Sequence, residues 1–266
     1  MNNSPIGFFD SGIGGLSVYA RFRELLPNEN TIYYGDLKNL PYGNKSKEEL
    51  IGFARNILNF FKTKNVKAVI IACNTSSALA YDTIKDEYNF KIYPIIQVSA
   101  QVISHNNINR LGIFATEGTV KSKAYSKEIS KHNKNILVHE IACPNWVPIV
   151  ETGSFNSTDS LLDIESKMKL MLEFNPDKII LGCTHYPYLI NYLKKYASKD
   201  LFIDPAKMFV DYIKSDLKNL TNTNRQIGEE EFYVSAQPEL FKKNAKFFYE
   251  INTLPQIFEI SKLNKN

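Results

Sequence analysis

The 266-residue sequence predicts an α/β fold: two similar parallel-sheet α/β halves related by pseudo-symmetry, with the active site in the cleft between them. Three observations carry this expectation. Short apolar runs alternate with longer segments of helical period, the pattern of strand–helix–strand crossovers. The runs are apolar throughout, as strands covered by helices on both faces require. Finally, "IGFFDSGIGG" (6–15) resembles "LGIFATEGTV" (111–120), and Gly7 with Gly112 and Cys73 with Cys183 repeat in the same order at nearly the same offset. Chance likeness between two strand–turn–helix units is the alternative to duplication.

Taken in order, strands are expected at "IGFF" (6–9), "TIYY" (31–34), "KAVIIA" (67–72), "KIYPII" (91–96), "RLGIFA" (110–115), "ILVHEI" (136–141), "KIILG" (178–182) and "LFID" (201–204). Helical spacing of apolar positions marks 46–62, 119–131, 159–174 and 205–219. Within 46–62, Leu50, Phe53, Ile57 and Phe61 share one stripe, and Ser46 with Glu49 has capping-box spacing. The expected units are residues 1–97 joined by 207–266, and residues 98–206. An aromatic-rich tail, "FYVSAQPELFKKNAKFFYEI", returns to complete the first. Ligands bind beyond the carboxyl ends of strands in such folds. Two facing halves therefore put the strand ends at Asp10, Cys73, Thr116 and Cys183 around one cleft.

Composition narrows the class. A hydrophobic content of 44% with 23% charged residues is that of a globular protein. No run is long enough to span a membrane, and "MNNSPIGFFDSG" has neither a basic n-region nor a signal-length apolar stretch. The reading is a cytoplasmic protein without a membrane partner. Three cysteines argue against a disulfide framework. The net charge of +4 comes from scattered lysines, so nucleic acid is not an expected partner.

Two elbows carry the chemistry. "ACNTSSALA" (72–80) and "GCTHYPYLI" (182–190) each place a cysteine after an apolar run and before a helix, where backbone N–H groups favour a thiolate. Buried cysteines are commonly inert, but Asn74, Thr75 and Ser76 follow one, and Thr184 and His185 the other, as on a binding surface. Cys143 lacks such company and reads as structural. Zinc is not expected: Cys183 and His185 are separated by one residue, tighter than usual ligand spacings, and His105, His132 and His139 are scattered. "FDSGIGGLS" (9–17) matches neither the dinucleotide nor the P-loop fingerprint, though its turn offers N–H groups to an anion. Asp10 there is either a helix cap or a partner for an ammonium group or a base. "PYG" (41–43) is a loop with exposed donors. Two thiols facing each other across a polar cleft can remove a proton from one face of a carbon and return one on the other. Their ordinary pKa of about 8.5 can be tuned toward neutrality, and two of them titrate as a coupled pair.

With "FDSGIGGLS", "YYGDLKNLPYG", "ACNTSSA", "ATEGTV", "ACPNWVPIVE" and "GCTHYP" in this order, the chain resembles the glutamate racemases of the cofactor-independent aspartate/glutamate racemase superfamily. The resemblance spans residue 6 to about 187 and implies interconversion of L- and D-glutamate for peptidoglycan synthesis without a cofactor. A homodimer is expected only as the common default. Carried over by position, the resemblance implies that Cys73 deprotonates D-glutamate and Cys183 L-glutamate, assisted by Asp10 and His185. It implies a substrate-binding set of Ser11, Pro41, Tyr42, Gly43, Asn74, Thr75 and Thr184, to which Asp10 and His185 also belong. Thr116 and Thr119 are placed where the second turn meets substrate, and Glu151 behind His185. Trp146 is bulkier than the resemblance leads one to expect. The alternatives are a related enzyme for aspartate, hydantoin or maleate, a non-catalytic amino-acid-binding protein on the same scaffold, and a pyridoxal-dependent racemase using one of the lysines.

Overall fold

A computed structural model describes residues 3–217 and 226–259. Its strands are β1 (Ile6–Asp10), β2 (Thr31–Gly35), β3 (Ala68–Ile71), β4 (Lys91–Pro94), β5 (Arg110–Ala115), β6 (Leu137–Ala142), β7 (Lys178–Gly182), β8 (Phe202–Ile203), β9 (Glu230–Val234) and β10 (Gln256–Ile257). They form two sheets, ordered β10-β9-β2-β1-β3-β4 and β6-β5-β7-β8, with every pairing parallel. β1 and β3 are buried along their whole length, as their unbroken apolar sequences require.

The echo in the sequence has a topological counterpart. β2-β1-β3-β4 and β6-β5-β7-β8 follow the same order, so β1 corresponds to β5 and β3 to β7. The repeated glycines explain part of it. A Cβ on Gly7 would lie 2.9 Å from Phe61 of helix Lys47–Thr63, and one on Gly112 2.4 Å from Met171 of helix Thr158–Glu173. In each half a helix therefore lies directly on the central strand because that strand has no side chain there.

Helix Lys47–Thr63 starts at the expected capping box: the Glu49 N–H donates to Ser46 Oγ at 3.1 Å and the Ser46 N–H to Glu49 Oε2 at 2.9 Å. Leu50, Ile57 and Phe61 of its stripe are buried, while Phe53 is half-buried against Tyr42. Other expectations need correction. The segment 119–131 is two helices, Glu117–Ser122 and Ala124–His132, parted by Lys123 in the left-handed region (φ 57°). The run 91–96 stops as a strand at Pro94, and helix Ile95–Ile103 follows at once, crossing residue 97. Helix Pro205–Asp216 covers most of 205–219, whose last two residues lie outside the described residues, as do 218–225 and 260–266 of the expected first unit. β9 and β10 were not expected as strands. β9 pairs with β2 in full register, from Thr31 with Glu230 to Gly35 with Val234. Among the described residues no helix is long and apolar enough to cross a membrane.

Candidate active site

The carboxyl ends of β1, β3, β5 and β7 converge on a cavity of about 240 Å³. That is below the roughly 300–1,000 Å³ of sites for drug-sized ligands, and suits a small metabolite. Ser11, Pro41, Tyr42, Gly43, Cys73, Asn74 and Thr75 line it from one sheet, and Thr116, Cys183, Thr184 and His185 from the other. Three residues singled out in the sequence stand behind this lining. Asp10 is fully buried beneath it, the Thr119 hydroxyl lies 3.0 Å from that of Thr116, and Glu151 lies beyond His185. No lysine lines the cavity among the described residues.

The halves meet closely here. The hydroxyls of Thr75 and Thr116 hydrogen-bond at 2.9 Å, and Thr184 Oγ1 donates to Asp10 Oδ2 at 3.3 Å. Gly14 makes a second approach possible: a Cβ there would sit 2.4 Å from Thr184 Oγ1 and 2.6 Å from His185 Nδ1. The glycines of "FDSGIGG" thus serve contact between the halves as well as the turn.

Cys73 is the N-cap of the short helix Asn74–Leu79. Burial first, then the nearby Asp10 charge and the second cysteine, together push its thiol up to about 12, against the Ser76 hydroxyl and N–H, which favour the anion. The helix start does favour the thiolate, as expected, but desolvation outweighs its N–H groups. Asp10 is itself raised to about 6, chiefly by burial. The positive charge of His185 and the N–H groups of Gly12 (3.0 Å) and Gly15 oppose the rise. Asp10 does not cap the following helix Leu16–Leu25, whose N-cap is Gly15.

Cys183 differs from its counterpart. The helix behind it starts late: β7 leads into a turn and a 3₁₀ turn, Tyr186–Leu189, and only then into the short helix Ile190–Leu193, so Cys183 is not an N-cap as Cys73 is. Its support comes from side chains. Cys183 Sγ lies 3.8 Å from His185 Nδ1, and His185 Nε2 lies 2.6 Å from Glu151 Oε1. Burial pulls the imidazole pKa down, but hydrogen bonds to Cys183 and Glu151 outweigh it and hold His185 well above its ordinary 6.5. Cys143 is fully buried outside the cavity, and burial pushes its thiol up strongly. Trp146 is fully buried between Phe114 and Tyr186, with its indole N–H donating to Asp163 at 2.9 Å, so the core absorbs its bulk.

Sequence reasoning missed Leu40, Pro144, Val147 and Pro148, which form apolar wall around the cavity. They lie inside the motifs quoted, but apolar residues in a loop carry no chemical signal. It also missed Asp36, a buried carboxylate that accepts from the Tyr42 hydroxyl and the Asn39 amide and so fixes the "PYG" loop.

With two α/β halves and two thiols across one cavity, comparison with known proteins becomes informative. A sequence profile described as Asp/Glu/Hydantoin racemase matches residues 6–213, and the chain belongs to that family. A glutamate racemase of Thermoanaerobacter pseudethanolicus is 40% identical over 249 residues, 92% of this chain and 93% of that protein. The crystal structure of glutamate racemase from Francisella tularensis in complex with D-glutamate superposes with a TM-score of 0.91 at 34% identity, covering 98% of this chain and 100% of that one. An aspartate racemase homologue from Pyrococcus horikoshii, 17% identical with a TM-score of 0.54 over 81% of this chain and 99% of that one, shares the fold alone.

Proposed function

We infer that this protein interconverts L- and D-glutamate by a two-base proton transfer, without a cofactor, and so supplies D-glutamate for peptidoglycan in the cytoplasm. One observation carries the reading: two buried thiols, one from each sheet, share a single cavity, and each has its own acid–base neighbour. The charge of Asp10 acts on Cys73, and the hydrogen-bonded His185–Glu151 pair on Cys183. Glutamate is favoured over aspartate because the relatives alike over nearly the whole chain are named for it. A homodimer is the assembly proposed, on the general frequency of that symmetry. The two units are proposed as 1–97 with 207–266, and 98–206, supported by the sheet that each strand joins.

In the D-to-L direction, the Cys73 thiolate takes the α-proton and becomes a thiol, leaving an enolate-like carbanion. The Cys183 thiol returns a proton on the opposite face and becomes a thiolate. The reverse direction exchanges these roles. Cys73 must first ionise. From about 12, that costs about 7 kcal/mol at pH 7. The substrate's ammonium group offsets part of this, and Asp10 can accept the proton. At a turnover of about 10 per second the whole barrier is roughly 16 kcal/mol, so the carbanion also needs electrostatic support. Donors from Ser11, Asn74, Thr75 and Thr184 around the cavity supply it.

Two measurements test the reading. In D₂O, without added pyridoxal phosphate or metal, L-glutamate should gain Cα deuterium while losing optical rotation, and L-aspartate should do neither. Exchange with aspartate instead would keep the mechanism and replace the substrate. Exchange with neither would sink the reading. Cys73→Ser should keep the fold and lose about 10²–10⁴-fold in racemisation. Full turnover by a folded Cys73→Ser protein would end the two-base account.

A further inference from the structure

Tyr125 was not singled out in the sequence, yet it touches both cysteine elbows. It sits at the start of helix Ala124–His132 in the second half and is fully buried. Its hydroxyl donates to Asn74 Oδ1 at 2.7 Å, across to the residue that follows Cys73. Its ring lies against Gly182, the residue before Cys183, where a Cβ would approach the ring edge to 3.0 Å. Asn74 lines the cavity and is buried, and its Nδ2 has no hydrogen-bond partner among the described residues.

An asparagine amide can present either its oxygen or its nitrogen to a ligand. Which end faces the cavity decides whether it attracts or repels a carboxylate. By donating to Oδ1, a phenol holds the oxygen away and leaves both Nδ2 hydrogens for the ligand. A buried donor left without a partner carries a desolvation cost, and a bound carboxylate would remove it. We propose that Tyr125 is a positioning residue that fixes the Asn74 amide as a donor to the substrate carboxylate and, through its ring, ties that donor to the Cys183 elbow. The inference deepens the racemase reading and rests on it. Tyr125 touches no reacting atom. It acts through Asn74, so its hydroxyl should matter only while Asn74 carries an amide.

The test is a double-mutant cycle of Tyr125→Phe with Asn74→Ala, with kcat/KM read in both directions. Phenylalanine keeps the ring against Gly182 and removes only the hydroxyl. Tyr125→Phe alone should lose roughly ten- to hundredfold in kcat/KM, and should lose little more when added to Asn74→Ala. Equal activity of Tyr125→Phe and wild type would overturn the inference. So would the same fold-loss with and without the Asn74 amide, which is what general loosening of the core would produce. A wild-type protein inactive on glutamate would fail the racemase reading instead. The inference would then be judged on the ligand-free protein by ¹⁵N NMR of the Asn74 side-chain amide, identified by its loss in Asn74→Ala. A marked shift of that resonance in Tyr125→Phe supports it, and an unchanged resonance overturns it.

Discussion

At the scale of single residues, the site holds groups whose proton affinities are displaced from those they have in water. Asp10 shows what this costs. Its carboxyl titrates near 6 instead of 3.8, chiefly because it is buried. Between those values the folded protein binds a proton that the unfolded chain has released, so stability falls as pH rises through this window. By pH 7 the loss amounts to about 3 kcal/mol. Asp10→Asn should therefore be more stable than wild type at pH 7, by up to that amount, and gain nothing at pH 3.5, while its racemisation collapses. Denaturant melts at the two pH values, with activity alongside, check this. A variant no more stable at pH 7 would show that Asp10 is better solvated than its surroundings indicate. The kcat/KM of wild type should fall as pH drops through 6, where Asp10 takes up its proton. The residues at this scale were largely legible because polar groups beside a strand end are conspicuous. Asp36 and Tyr125 were not: each acts by bonding another side chain, Asp36 within its own loop and Tyr125 across to a distant element.

At the scale of elements, polar groups at the two ends of the first sheet have different duties. The carboxyl ends carry the cavity, and the amino ends carry buried charge. Lys67, just before β3, pairs with Glu29, just before β2, at 2.5 Å, with both side chains 2% exposed. Arg23 of helix Leu16–Leu25 adds a hydrogen bond to the Glu29 carbonyl at 2.6 Å and an ion pair with Glu230. Truncating one partner of such a pair leaves the other charge buried, at about 3–5 kcal/mol. Lys67→Ala should lose that much stability in urea, while the folded fraction retains its kcat, since the pair lies at the far end of the strands from the cavity. A loss below about 1 kcal/mol would mean that water reaches the pair. This network was not legible in the sequence, where Lys67 merely begins an apolar run. Element boundaries were legible where patterns were strong, as in β1, β5 and β7. They failed where backbone geometry broke the pattern, as at Lys123. β9 escaped because "EEFYV" opens with two glutamates, one paired with Arg23 and the other with Lys64, a use of charge that no periodicity reveals.

At the scale of the whole molecule, the cavity belongs to neither sheet alone. Thr75 bonds Thr116, Asp10 bonds Thr184, and Gly14 lies under Thr184 and His185. A ligand held there touches both halves, so its binding energy stabilises their association. D-glutamate at a hundred times its Kd should add about 2.7 kcal/mol and raise the melting temperature by several degrees in one transition. Cys73→Ser should retain most of this shift, because binding does not require the sulfur. A melting temperature unchanged by D-glutamate would remove the ligand from this cleft.

On the ribosome, the pairing of β9 with β2 sets an order of events. Residue 230 is made roughly 10–40 s after residue 35, at about 5–20 residues per second. Through that interval β2 has a partner on one side only, β1. The four strands β5–β8 lie between them in the chain and can close into their own sheet first. The second strand to be translated is thus among the last to be fully covered. Until the tail arrives, the open side of β2 is a template for any passing strand.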